Sequence, residues 1–263
     1  MFVVEVSYGC PSEKYPTNGN FQFDQASALK AIGEKIVFIA IDMRSIRKKR
    51  RLGLYEHEKS GIPIVEYSFP FGPIMPKLRT KLSIHGFKRA LNLVINKYGV
   101  PDLVHVHFND TAKFIIKPCE KKGIPYVITE HSSGVNKDDL SANQISELTN
   151  IYSKAKAVIA VSHPLAERIE NFSSVHPYVV PNIIDFSVFH YNVKRKALPF
   201  RYVSAGNLIK RKGFDVTIKA FSEVVKKYNN VELVIMGDGP ELGNLSDLIC
   251  ELGLKNKVLL YNT

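Results

Sequence analysis

The sequence predicts an α/β protein of two doubly wound parallel-sheet lobes, the second lobe incomplete. Short runs rich in Val and Ile, as at 2–7, 35–41 and 103–108, read as strands buried on both faces. Segments of helical period separate them, and regular alternation of strand and helix implies a parallel sheet. The alternation loosens after Pro181 and restarts at Arg201, dividing the series in two.

The first series has seven candidate strands, at 2–7, 35–41, 62–67, 103–108, 126–129, 157–161 and 178–180. Between them Phe87, Leu91, Val94 and Tyr98 step by four, three and four, which puts them on one helix face; 21–32 and 112–122 carry similar faces. Residues 1–185 are read as the first lobe, and 186–199, with a polar and basic stretch ahead of Pro199, as the interdomain connection. The second series runs strand 201–205, helix 214–228, strand 232–236, helix 240–252 and strand 257–261, with Phe214, Ile218, Phe221 and Val225 as the core face of its first helix. Residues 200–263 therefore make a partial lobe, whose three-stranded sheet has open edges and thinly covered faces.

Composition narrows the function. With 45% hydrophobic residues and no low-complexity tract, the chain is globular. Residues 1–10 lack the basic front and cleavage site of a signal peptide, and no apolar run approaches the roughly 18 to 20 residues that span a bilayer, so a cytoplasmic protein is expected. Cys10, Cys119 and Cys250 lie far apart with no metal-ligand spacing, which fits a reducing compartment. The net charge of +11 draws the protein toward phosphates. Its densest cluster is Arg44, Arg47, Lys48, Lys49, Arg50 and Arg51, with no acid among them. The cluster reads as a solvated loop or as a peripheral contact with an anionic membrane, on its inner face; without interleaved aromatics, nucleic acid is not expected as a partner.

In open parallel sheets ligands bind beyond the carboxyl ends of strands. Three turns there stand out. After strand 201–205 come Gly206, Asn207, Leu208, Ile209, Lys210, Arg211, Lys212 and Gly213, leading into a helix. Glycine allows close backbone approach, a helix start offers unpaired amides, and three cations supply charge for a diphosphate; a basic surface turn is the plainer reading. After strand 232–236 come Gly237, Asp238, Gly239 and Pro240, whose glycine spacing does not match a dinucleotide fingerprint, and the next strand ends without the acid that would hold a nicotinamide ribose. In the first lobe, His105 and His107 share a strand face, and the next strand ends in Thr129, Glu130, His131, Ser132 and Ser133. The two histidines lack a third ligand at recognisable spacing, so no metal is expected; they read as buried structural histidines or as polar groups facing a cleft.

These residues together resemble the retaining transferases of glycosyltransferase family 4, with the GT-B fold of two Rossmann-like lobes. Nearly the whole chain takes part. The opening strand with Pro16, Thr17, Asn18, Gly19, Asn20 and Phe21 is similar to the family's first loop and helix, and Asp102 to His107, D-L-V-H-V-H, resembles the strand whose last histidine lies beside the transferred sugar. Gly206, Asn207 and Leu208 through Lys212 and Gly213 resemble its basic phosphate loop, and Gly237 to Pro240 its G-D-G-P turn. The resemblance implies a UDP- or GDP-linked nucleotide-sugar donor, a glycan, lipid-linked glycan or small-molecule acceptor, retention of configuration, no cofactor and no metal, and a place in cell-surface polysaccharide synthesis. It implies catalytic roles for His107 and Lys212, donor binding by Gly19, Gly206, Asn207, Arg211, Lys212, Gly213, Gly237, Asp238, Gly239 and Pro240, and acceptor-side roles for Asn20, His131 and Ser132. The family often has arginine where Asn207 stands, with Lys210 or Arg211 as the substitute here. Its paired glutamates are expected beyond Thr263, so a C-terminally truncated chain is implied. The rival readings are a non-catalytic fragment of this fold that binds nucleotide weakly, and a basic membrane or nucleic-acid binding module.

Overall fold

The computed structural model of the chain describes residues 1–71, 75–131, 134–135, 139–186, 188–189 and 198–261. They form two units, Met1–Asp185 and Phe186–Thr263. The first holds a sheet of β1 (Phe2–Ser7), β2 (Lys35–Asp42), β3 (Gly53–Lys59), β4 (Ile62–Ser68), β5 (Leu103–His107), β6 (Tyr126–Glu130), β7 (Ala157–Ala160) and β8 (Tyr178–Val179), in the order β3-β4-β2-β1-β5-β6-β7-β8. All its pairings are parallel except that of β3 with β4. Its helices are α1 (Asn20–Ala31), α2 (Pro76–Tyr98), α3 (Asn109–Lys122), α4 (Ala142–Ser153) and α5 (His163–Ser173). The second unit has β9 (Phe200–Ala205), β10 (Val231–Met236) and β11 (Val258–Tyr261), all parallel in the order β11-β10-β9, with α6 (Phe214–Lys227) and α7 (Leu242–Glu251).

Helices cover both faces of the first sheet, so its central strands have no solvent side. Every residue of β1 is buried, and every residue of β2 after Lys35, which is why these strands read as continuous apolar runs. On one face Val4, Val6, Val104, Val106 and Ile128 pack with Phe87 and Leu91 of α2 and Phe114 of α3. On the other, Val3, Phe38 and Ala40 pack with Phe23 and Ala26 of α1. Each such large side chain, fully buried, contributes roughly 1.5 to 3 kcal/mol. In the second unit Phe214, Ile218 and Phe221 of α6 close on Leu233 and Ile235 of β10, with Val225 packed at the margin. Strand β9 keeps much of its surface: Phe200, Tyr202 and Val203 are exposed. No helix among the described residues is long and apolar enough to cross a membrane.

The elements differ from expectation where local signals were quiet. The predicted all-parallel sheet of seven strands is an eight-stranded sheet with an antiparallel edge, because β3 has a charged, largely exposed sequence that carries no apolar run. Its hairpin turn, Ser60 and Gly61, has positive φ at both residues, 51° and 70°, the conformation that suits a two-residue connection. Helices α4 and α5 were not expected, although Ser141 and Gln144 form a capping box at the start of α4 and proline stands in the first turn of α5. The predicted helix 240–252 starts later, at Leu242, with Pro240 in the preceding turn. Much of the predicted connection 186–199 lies outside the described residues.

The basic cluster is not a uniformly solvated loop. Arg50 is nearly buried; it pairs with Asp42 at 2.8 Å, donates to Ser68 Oγ at 2.7 Å, and donates to the carbonyls of Asp42, Ser45, Lys48, Arg44 and Phe69. Arg44 shares that oxygen, Oδ2, through Nη2 at 2.6 Å and reaches Oδ1 through Nε at 3.0 Å. Asp42 itself has no exposed surface, so these two cations satisfy a buried carboxylate and shape the loop.

Helix α2 carries a glycine in its interior because Tyr67 of β4 fills the space beside it: a Cβ on Gly86 would lie 2.3 Å from the Tyr67 ring. Gly86→Ala gains about 1 kcal/mol of helix propensity, but Tyr67 is itself buried and the clash falls near the base of its ring. Overpacking of this kind costs about 1 to 3 kcal/mol and is the larger effect. Urea denaturation followed by circular dichroism should therefore show Gly86→Ala destabilised.

Candidate active site

In the first unit, parallel register aligns Glu5 of β1 with His105 of β5, and His107 with Thr129 of β6. Strand alternation puts Glu5, His105, His107 and Thr129 on the α1 face of the sheet. Glu5 and His107 have no exposed surface and His105 has 4%. His105 Nδ1 lies 2.8 Å from Glu5 Oε1, and its Nε2 lies 2.7 Å from Thr129 Oγ1. His107 Nε2 lies 3.3 Å from Glu5 Oε2, and its Nδ1 lies 2.9 Å from His131 Nε2. Sequence reasoning missed Glu5; its signal was one acid inside the buried run F-V-V-E-V-S.

Burial alone would raise the Glu5 carboxyl, but His105 and then His107 outweigh it and bring it down to about 2. Burial lowers His107. Burial, then the neighbouring His107, brings His131 down to about 4, against a hydrogen bond with Asn182. At neutral pH His107 and His131 each carry one ring proton. The carboxylate of Glu5 can only accept, so His107 donates from Nε2, its Nδ1 accepts from His131 Nε2, and the outer Nδ1 of His131 is left unprotonated. A buried acid thus sets the tautomer of a partly exposed histidine two side chains away.

Aromatic rings close over this network. Phe21, at the start of α1, lies 4.9 Å from the His131 ring, 5.9 Å from Phe108 and 6.5 Å from His107. Phe108 has φ 69° and ψ 143°, a strained conformation for a bulky residue. The strain is held by its N–H donating to Thr129 O at 2.8 Å and by Glu130, which accepts from Asn109 N at 3.0 Å, Asn109 Nδ2 at 2.9 Å, His131 N at 3.0 Å and Tyr152 Oη at 2.8 Å. Gly19 caps α1 with φ 71°, and a Cβ there would lie 2.2 Å from Gly9 O, so the loop after β1 folds tightly onto itself. Asn20 is exposed beside it. Ser132 lies outside the described residues.

Glu5, His105 and His107 also form a donor set of metal-ligand type, with atoms within 4.8 Å of one another. β1 thus supplies the third donor that the histidine spacing lacked. Each of those atoms is already at hydrogen-bond distance within the network, and the set is closed from solvent.

In the second unit the two glycine turns are one structure. Gly206 N donates to Met236 O at 3.0 Å, Leu208 N to Asp238 O at 2.8 Å, and Glu241 N to Leu208 O at 3.0 Å. A Cβ on Gly237 would lie 2.0 Å from Gly206 O, and one on Gly239 would lie 2.4 Å from Leu208 O, so only glycine permits the approach. Leu208 is buried at the centre and anchors the loop. From that anchor a single 3₁₀ turn, Lys210–Lys212, carries its three cations outward, and Gly213 with φ 66° passes the chain into α6. The loop does not open directly into α6, as expected, but through this turn. Asn207, Lys210, Arg211 and Lys212 are exposed, and none of the three cations has an ion-pair partner among the described residues. Asp238 and Pro240 are also exposed, and Asp238 accepts from Gly239 N at 2.7 Å. Asp215 stands in the first turn of α6, where it competes for the helix amides.

Two family models cover most of the chain: the one described as Glycosyltransferase Family 4 matches residues 43–188, and Glycosyl transferases group 1 matches residues 192–263. The chain belongs to Glycosyltransferase Family 4. The chain is 29% identical over 265 residues to TuaC of Bacillus subtilis (strain 168), a protein assigned by its name to teichuronic acid biosynthesis; the match covers 90% of this chain and 65% of TuaC, so the chain spans a little under two thirds of that relative's length. Its fold is similar to that of sucrose-phosphate synthase from Thermosynechococcus elongatus, with TM-score 0.69, 16% identity, and coverage of 100% of this chain and 70% of that one. It is similar also to Anabaena HepE in complex with UDP, with TM-score 0.66, 14% identity, and coverage of 99% and 68%. At these identities the structural likeness shows the GT-B fold.

The titrations give a signed pH dependence. His131, brought down to about 4, binds its proton later in the folded state than in the unfolded one, so stability is lost as pH falls from about 6.5 toward 4. Glu5, brought down to about 2, adds a further loss as pH falls below the ordinary carboxylate range. Urea midpoints measured across this range should decline in that order, and His131→Gln should make the first decline shallower while leaving the second. In the second unit, Gly237→Ala forces the two turns apart, and hydrogen exchange at the Leu208 amide should accelerate by at least about tenfold, the equivalent of about 1.4 kcal/mol of local stability.

Proposed function

We propose that the protein transfers a sugar from a nucleotide-diphosphate donor, UDP- or GDP-linked, to a hydroxyl of a glycan, lipid-linked glycan or small-molecule acceptor, with retention, in cell-surface polysaccharide synthesis. One observation carries the reading: three exposed cations, with no ion-pair partner among the described residues, stand on a turn whose base is interlocked by glycines. A diphosphate leaving group needs such a base, because charge collects on it as its bond to the anomeric carbon breaks, and donors already in place stabilise that charge without reorganising. Lys212 and Arg211 meet the diphosphate, together with the first amides of α6. Lys210 or Arg211 takes the charge that the family often places at the position of Asn207. The acceptor oxygen bonds to the anomeric carbon on the face the diphosphate leaves, and the acceptor proton passes to a departing phosphate oxygen.

His131 and Asn20 serve the acceptor side. His107, fully buried, acts through His131 by holding its tautomer. The name of TuaC, which refers to teichuronic acid biosynthesis, supports a surface-polymer product. The UDP bound to HepE is in keeping with a nucleotide-diphosphate donor.

A panel of UDP- and GDP-sugars, with release of the nucleotide diphosphate as the readout, tests the assignment. Lys212→Ala should lower kcat/KM by about 100- to 1,000-fold, the usual effect of removing one group that stabilises developing charge. Turnover equal to that of the unmodified protein would remove Lys212 from the mechanism.

A further inference from the structure

The first unit has a second cationic feature, which the donor reading does not use. The β1–α1 loop and the chain between β2 and β3 enclose a cavity of about 410 Å³, lined among others by Tyr15, Arg44, Lys49, Arg51, Tyr55 and Glu66. Its walls are set in place. Residues Ser12 and Tyr15 close a small turn by mutual backbone hydrogen bonds of 3.2 and 3.1 Å. The Arg44 guanidinium lies 4.5 Å from the centre of the Tyr15 ring and is fixed at its other end by Asp42; the Arg51 guanidinium lies 4.6 Å from the centre of the Tyr55 ring. Arg50 closes the wall from within and is spent on Asp42 and the loop carbonyls. Lys14, Lys49 and Arg51 have no ion-pair partner among the described residues.

Charge decides what would enter. Five cations line the cavity against Glu13 and Glu66, and Asp42 lies behind the wall, which leaves an excess of two positive charges. A single carboxylate would neutralise half of it, whereas a phosphate monoester or a diphosphate matches it. The Arg51 guanidinium, stacked on Tyr55 and without an ion-pair partner among the described residues, also suits a group that accepts several hydrogen bonds at once. Arg44 is shared with an adjoining cavity of about 310 Å³, lined by Tyr8, Met43 and Arg79, which has room for whatever the phosphate is attached to.

We infer that this cavity binds a phosphate-bearing group of the acceptor, separate from the donor diphosphate assigned to the second unit. That the ligand is the acceptor rests on the function proposed above; that the site takes a dianionic phosphate rests on the cavity alone. The phosphate can come from a soluble monoester or from a lipid headgroup.

Calorimetric titration with glycerol 3-phosphate, and co-sedimentation with phosphatidylcholine vesicles containing phosphatidic acid, test both sources, with phosphatidylglycerol vesicles of matched content as the flat anionic surface. Glycerol 3-phosphate binding indicates that the phosphate suffices; binding to phosphatidic acid vesicles alone indicates the lipid headgroup. In either case the Lys49→Ala/Arg51→Ala variant should bind at least about tenfold more weakly, while Arg47→Ala, a change outside the cavity lining, should bind as the unmodified protein does. The inference is overturned if neither phosphate probe binds, if the double variant binds unchanged, if Arg47→Ala is weakened equally, or if phosphatidylglycerol vesicles bind as well as phosphatidic acid vesicles. UDP titrated into the same proteins separates the two readings: UDP binding that persists while the phosphate probes fail overturns only the cavity, and phosphate binding without UDP binding counts against the transferase while leaving the cavity in place.

Discussion

A carboxylate without exposed surface at the middle of an eight-stranded sheet is a demanding object, because an unpaired charge there costs several kcal/mol. Glu5 is tolerated only because two imidazoles of the next strand sit opposite its two oxygens. That requirement bears on the pairing of β1 with β5. A slip of one residue would bring Val104 and Val106 to the face where the acid needs partners, and the carboxylate would be stranded. The same contact reaches outward: His107 is bound to Glu5, His131 is bound to His107, and the state of the outermost ring nitrogen is settled by an acid buried beneath it. Packing and site chemistry in the first unit therefore share one interaction, and neither can be altered without the other.

The second unit reaches rigidity by a different route. Its candidate site is held largely by backbone contacts, with Gly206 and Gly237 meeting where β9 and β10 end side by side, and Leu208 pinned between Asp238 and Glu241. No side chain intervenes at the crossing, so the cations beyond it are free of structural duty. Long basic side chains are mobile, and fixing their stems is the means by which a turn can present charge at a reproducible place. The unfavourable element is Asp215, whose charge at the α6 start opposes an incoming anion and must be outweighed by the three cations beside it.

The sequence made the architecture legible wherever burial was two-sided, since the central strands of the first sheet and the core face of α6 announce themselves as apolar runs or a helical stripe. It was quiet where an element is half exposed. Strand β3 is held as much by its hairpin partner as by its own residues, and its charged sequence has no signal except the Ser60 and Gly61 turn. The candidate sites divide in the same manner. The basic loop and the G-D-G-P turn were each visible as local motifs, but their union into one interlocked structure depends on the parallel pairing of two strands distant in sequence. Glu5 was hidden for a related reason: within a buried run one acid looks like an exception, and its meaning appears only when His105 is placed beside it.

The surplus of positive charge can now be divided by physical use. A cation held against a buried acid is structural, and Arg44 and Arg50 around Asp42 are of that kind, although the same six-residue cluster looks uniform in sequence. Cations in excess of the acids near them repel one another, and keeping several of them close on a rigid base raises the free energy of the empty protein. The turn at Lys210–Lys212 and the cavity bordered by Lys49 and Arg51 gather more cations than the acids beside them, Asp215 at the first and Glu13 and Glu66 at the second, can balance. Each is built on fixed backbone or stacked rings rather than on a loose tail, where the repulsion could relax by simple separation. Charge so confined is most readily balanced by an anion from outside, and the rigidity that makes the empty site costly is what makes its complex selective for phosphate geometry.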